Sequence, residues 1–100
     1  MSTERKVFFN GDFVNESEAK LSIYDSALMF GDMVFEMTRS FNKKQFLLEK
    51  HIDRLLLGAK ILKIPVDYKK SEIIDICHKT IKINDKFFDK GDEHRLMIDL

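Results

Sequence analysis

The sequence has one cysteine, one proline, four glycines and no surplus of either charge, and each shortage closes off a class of protein. Cys77 alone cannot form an internal disulfide, so no disulfide framework holds the fold. Its setting among Ile73, Ile74, Ile76 and Ile81 marks it as an inert core thiol. Glycine never clusters into a phosphate-cradling loop, and there is no Gly-x-Ser-x-Gly elbow. Lys plus Arg and Asp plus Glu both total 17, which leaves no net field to attract nucleic acid or an anionic membrane. No run approaches the roughly 18 apolar residues of a membrane span. The first six residues lack the apolar core and small-residue cleavage site of a secretory leader. The expected location is cytoplasmic. His51, His78 and His94 lie far apart without a second ligand at metal-site spacing, so no metal is expected.

What is present suits folding. Hydrophobic residues make up 44% and charged residues 34% of 100, enough for one modest core and against disorder or a coiled coil. Residues 1–100 therefore read as a single small domain. Asn10-Gly11 between Val7-Phe8-Phe9 and Asp12-Phe13-Val14 predicts a hairpin with Phe8 opposite Phe13. Lys20 to Tyr24 alternates again, and Asp25 or Ser26 can cap a short helical turn through Phe30 before Gly31-Asp32.

Val34 to Phe41 alternates as a strand, with Phe35, Met37, Arg39 and Phe41 on one face and Val34, Glu36, Thr38 and Ser40 on the other. Asn42-Lys43 turns it back into Lys44 to Leu47, although glycine would suit the second turn position better than Lys43. From Leu48 the period becomes helical: Leu48, Ile52, Leu55, Leu56, Ala59 and Leu62 share a face that Leu57 and Ile61 widen, and Pro65 ends it. Ser71 can cap a second helix carrying Ile73, Ile74, Cys77, Thr80 and Ile81 to about Ile83. Phe87 to Gly91 connects to a strand from His94 to Leu100. A terminus inside an apolar strand leaves a sheet without a partner, so the chain reads as part of a longer one. The fold class is α+β, a small antiparallel sheet with two helices.

Two arginines stand out. Arg54 has Lys50, His51, Leu57 and Gly58 as its helical neighbours, none acidic, so its counter-ion must come from elsewhere. Gly58 leaves space beside it. A guanidinium there can hold a phosphate or form a tertiary salt bridge. Arg39 shares its strand face with Met37 and Phe41, either reaching water from the sheet edge or lining an apolar pocket for a carboxylate. Arg95 in the last strand has the same two readings. Taken by themselves, these residues define no reaction.

Asn10-Gly11-Asp12-Phe13-Val14, Leu21-Ser22-Ile23-Tyr24-Asp25 and Phe30-Gly31-Asp32-Met33-Val34-Phe35-Glu36 resemble the opening of class IV aminotransferases. His51-Ile52-Asp53-Arg54-Leu55, Gly58-Ala59-Lys60 and Ile64-Pro65 follow in the same order and spacing. The resemblance implies the amino-terminal part of a two-domain, homodimeric, pyridoxal-phosphate enzyme of fold type IV. It would transfer an amino group between an amino acid and a 2-oxo acid, with branched-chain substrates the commonest choice. Arg54 would hold the cofactor phosphate. Phe35, Met37 and Arg39 would line the substrate pocket, with Arg95 nearby. Met37 stands where branched-chain enzymes commonly have glycine, and Phe30 replaces a frequent tyrosine that reaches the neighbouring subunit's site. The Schiff-base lysine and the glutamate facing the pyridine nitrogen are expected beyond residue 100, so no catalytic residue is assigned and the chain alone is expected to be inactive. Alternatives are a D-amino-acid aminotransferase, aminodeoxychorismate lyase, or a non-catalytic module that binds an anion or pairs subunits.

Overall fold

The structure, a computed structural model, describes residues 4–100, so the reading of the first six residues falls partly outside it. Asn10 (φ 48°) and Gly11 (φ 96°) take the left-handed angles of a two-residue hairpin loop. They join β1 (Lys6–Phe9) to β2 (Asp12–Asn15), and Phe8 stands opposite Phe13 as expected, their rings edge to face at 5.1 Å. Lys20 to Tyr24 forms no strand, despite its alternation. No neighbouring strand takes its backbone hydrogen bonds, and Leu21, Ile23 and Tyr24 are exposed. Asp25 caps α1 (Ser26–Phe30) by accepting the Ala27 N–H at 2.9 Å, and Gly31 at φ 70° ends it.

The second sheet has the order β4-β3-β5, all antiparallel, with β3 (Phe35–Phe41) between β4 (Lys44–Gln45) and β5 (Arg95–Asp99). The return strand is shorter than its sequence suggests because Leu47 turns into the left-handed region at φ 53° and launches α2 (Leu48–Ile61). Asn42 (φ 52°) and Lys43 (φ 68°) make the β3–β4 loop. The strain at Lys43 is offset by Glu93, whose carboxylate accepts the N–H groups of Asn42 at 2.8 Å and Lys43 at 3.0 Å.

The first long helix ends before Pro65 can act. Lys63, at φ 58°, reverses the chain, and the N–H groups of Lys63 and Ile64 return to the carbonyls of Lys60 and Ala59 at 3.2 and 2.8 Å. α3 (Lys70–Asn84) starts two residues earlier than a Ser71 cap would allow, with Lys69 in the capping position. The Glu72 carboxylate accepts the Lys69 N–H at 2.9 Å, leaving Ser71 within the first turn.

Both long helices meet the three-stranded sheet around Ile52, which is wholly buried among Leu48, Ile73, Cys77 and Leu96. Leu57, Ile61 and Leu62 stay exposed, so the buried face of α2 is narrower than its sequence suggests. Burial pushes the Cys77 thiol up to about 11, which keeps it protonated near neutral pH. Two small antiparallel sheets with helices beside them make the expected α+β architecture. No described helix is long and apolar enough to cross a membrane.

Candidate functional site

The alternation of β3 sorts its residues as the sequence indicates, but it turns the polar set inward. Thr38 and Ser40 are buried towards the helices, while Phe35, Met37, Arg39 and Phe41 face out. The inward hydroxyls are tolerated because they are bonded: Ser40 donates to Glu93 at 3.0 Å and accepts the His94 N–H at 2.7 Å.

Glu36 lies on this inner face, and it supplies the counter-ion that α2 lacks. Arg54 donates from Nε to both Glu36 oxygens at 3.0 Å and from Nη2 to Oε1 at 2.6 Å. His51, one turn earlier on α2, brings Nδ1 to the same Oε1 at 2.7 Å. Glu36 has a side-chain exposure of 10%, whereas Arg54 has 71%. The acid is thus anchored in the fold and the guanidinium stands at its surface. The expected gap beside Arg54 is not empty, since a Cβ on Gly58 would come within 3.3 Å of Val34 Cγ1. Glycine there serves helix-to-strand packing.

Hydrogen bonds from Arg54, then His51, hold the Glu36 carboxyl below its ordinary value of 4.5, and Glu36 raises Arg54 in turn. A depressed carboxylate contributes stability that is complete above the unfolded-state value and lost as pH falls through the folded one. The side-chain carboxyl resonance of Glu36 should therefore titrate below that ordinary value of 4.5. A midpoint at or above that value would contradict the bidentate contact.

The outward face of the sheet carries the other candidates. Register places Met37 opposite Met97 and Arg39 opposite Arg95, all four exposed. Two like charges directly across a strand pair repel. Arg39 lies 4.4 Å from the Phe41 ring centroid and donates to the Ser40 carbonyl at 3.3 Å, and neither arginine makes an ion pair among the described residues. Phe30 is exposed at the end of α1, next to Leu28 and Met29, and lies on a different element from the other pocket candidates. The structure thus brings Phe35, Met37, Arg39 and Arg95 onto one surface, with Arg54 tied to the same strand through its other face.

Glu36 and His51 are absent from the sequence-derived site. The available signal was an acid among the inward residues of a strand, which requires a cation or other donors opposite it. Strand pairing alone could not identify that cation.

The chain belongs to the class IV aminotransferase family: the sequence model of Amino-transferase class IV matches residues 33–100. It is 43% identical over 79 residues to "Putative branched-chain-amino-acid aminotransferase" of Methanocaldococcus jannaschii, which covers 79% of this chain and 27% of that protein. Over 79 residues it is 34% identical to D-alanine aminotransferase of Staphylococcus haemolyticus, covering 79% of this chain and 28% of that one. The crystal structure of the branched-chain aminotransferase of Thermoproteus uzoniensis with norvaline superposes with a TM-score of 0.77 at 32% identity, covering 95% of this chain and 31% of that one. The crystal structure of a T.th. branched-chain amino acid aminotransferase with pyridoxamine 5'-phosphate gives 0.76 at 28% identity, covering 85% and 29%. The chain therefore spans less than a third of the length of these proteins.

Proposed function

We propose that this chain forms the amino-terminal wall of a homodimeric, two-domain, pyridoxal-phosphate-dependent aminotransferase of the cytoplasm. It acts on branched-chain amino acids and their 2-oxo acids. The observation that carries this reading is the outward face of β3 and β5, where exposed apolar side chains surround two arginines that lack acidic partners. An apolar wall with paired cations suits a substrate that has a hydrocarbon side chain and a carboxylate. Met37 and Met97 are the hydrocarbon contacts; Arg39 and Arg95 are the carboxylate contacts.

The residues present fit one part of the cofactor. Arg54 is exposed, and its Nη1 has no protein acceptor among the described residues, which suits a phosphate oxygen pair. When bound, pyridoxal phosphate supplies the electron sink for moving the amino group; the protein supplies orientation. This chain's share is to hold the phosphate and shape the substrate pocket.

The D-alanine relatives and the methionine at position 37 favour a second reading, in which the pocket takes smaller or D-configured substrates. The test is steady-state transfer to 2-oxoglutarate by the full-length polypeptide, from L-leucine, L-valine and D-alanine, for the native protein and Met37→Gly. The native enzyme should prefer the L-branched pair. Removing the Met37 side chain should shift selectivity towards bulkier substrates by about ten-fold, the scale of a few methylenes in an apolar pocket. Faster transfer from D-alanine would favour the second reading. An unchanged order in the variant would mean that Met37 is not at the pocket.

A further inference from the structure

We propose that Glu36 is the positioning residue for Arg54: from a nearly buried place on β3 it grips the side edge of the guanidinium and aims the adjoining end fork at the cofactor phosphate. The inference rests on the reading of Arg54 as the phosphate contact.

The geometry carries it. A guanidinium has five N–H donors in one plane. Glu36 accepts the Nε donor and one from Nη2, which leaves both Nη1 donors and the second on Nη2. One Nη1 donor and the remaining Nη2 donor form the end fork of the group, a match for two phosphate oxygens. An arginine tip so exposed would otherwise sample many rotamers and lose that freedom on binding. Glu36 removes the freedom beforehand. The acid itself is held by the strand backbone and by His51 on the other flank of Oε1. Neutralisation by Glu36 does weaken the long-range attraction of Arg54 for an anion. The gain lies in direction, which is what a contact with a fixed phosphate requires.

The two faces of β3 then have linked tasks. Phe35, Met37 and Arg39 look outward to the pocket, while Glu36 between them looks inward and sets the phosphate contact on α2. A shift of this one strand would move both together.

The test compares affinities of the full-length polypeptide for pyridoxal phosphate and for pyridoxal, which lacks the phosphate, in the native protein, Arg54→Ala, Glu36→Gln and the double variant. Arg54→Ala should lower the ratio of the two affinities by about ten-fold or more, the loss expected of a charge-assisted bidentate contact. Glu36→Gln should lower it by about three-fold or more, and the double variant should be no worse than Arg54→Ala, because both changes act through one contact. Pyridoxal affinity should stay the same in all four. An unchanged ratio in Arg54→Ala would remove the phosphate contact itself. A normal ratio in Glu36→Gln, or losses that add in the double variant, would leave Arg54 in the site but overturn the positioning role, as would equal losses for both ligands. Should Glu36→Gln fail to fold, the native protein still decides: the Arg54 Nε–H resonance should be protected and unmoved when pyridoxal phosphate is added. A resonance that moves strongly would show the phosphate displacing Glu36.

Discussion

Ile52→Ala should lower the unfolding free energy of this domain by about 2 to 5 kcal/mol, the range for removing a large buried aliphatic side chain. Ile52 has no exposed surface and packs against residues of both helices and β5, so a cavity there is bounded by elements that cannot all close on it. A domain of this size has only about 5 to 15 kcal/mol in total, so much of its stability is at stake. Leu57→Ala, on the exposed side of the same helix, is the control and should stay within about 0.5 kcal/mol. Urea unfolding followed by far-ultraviolet dichroism measures both. A loss below about 1 kcal/mol for Ile52→Ala would mean that α2 can settle into the gap, and that its contact with the sheet is looser than the structure depicts.

The parts of this fold that were legible in the sequence are those that local chemistry decides. Asn10-Gly11 fixes the first hairpin because few other pairs tolerate two positive φ angles, and the register follows from the loop length. The two faces of β3 follow from its period of two. The direction of those faces did not, because a strand with apolar residues on one side is ordinarily expected to bury that side. Here the buried side holds Glu36, Thr38 and Ser40, whose partners Arg54, Gln45 and Glu93 come from three other segments. Arg54 and Glu36 are 18 residues apart, and Ser40 and Glu93 are 53 apart. No local window contains such pairs.

Helix ends depart from the local signals for a related reason. Pro65 and Ser71 are strong local signals, yet the chain reverses at Lys63 and begins α3 after Lys69. Backbone carbonyls at the end of α2 find their donors through the reversal itself, so no special side chain is needed there. Among the candidate residues, Arg54 is legible because its helical neighbours include no acid, and Met37 and Arg39 because their alternation is clear. Their functional meaning came from the family resemblance, since an unpaired arginine by itself identifies no ligand.

The chain of residues 1–100 on its own should neither transfer amino groups nor bind pyridoxal phosphate through one particular lysine, and the placement of its lysines explains why. A lysine that attacks the cofactor aldehyde efficiently needs its amine uncharged near neutral pH, which proteins achieve by burial or by a neighbouring cation. No lysine among the described residues is buried. Lys70, one of the less exposed, is paired with Asp53 at 2.9 Å, and that contact raises its pKa, the wrong direction for a nucleophile. Lys43, Lys44 and Lys69 are exposed and should react weakly and reversibly with any aldehyde. The chain should be mixed with an equal amount of cofactor, treated with borohydride, digested and weighed. Labels should be scattered and substoichiometric, with no amino transfer from leucine, glutamate or D-alanine. Full labelling of a single lysine together with turnover would show that these 100 residues hold a complete catalytic site, and the assignment of the chain to one wall of a larger enzyme would have to be abandoned.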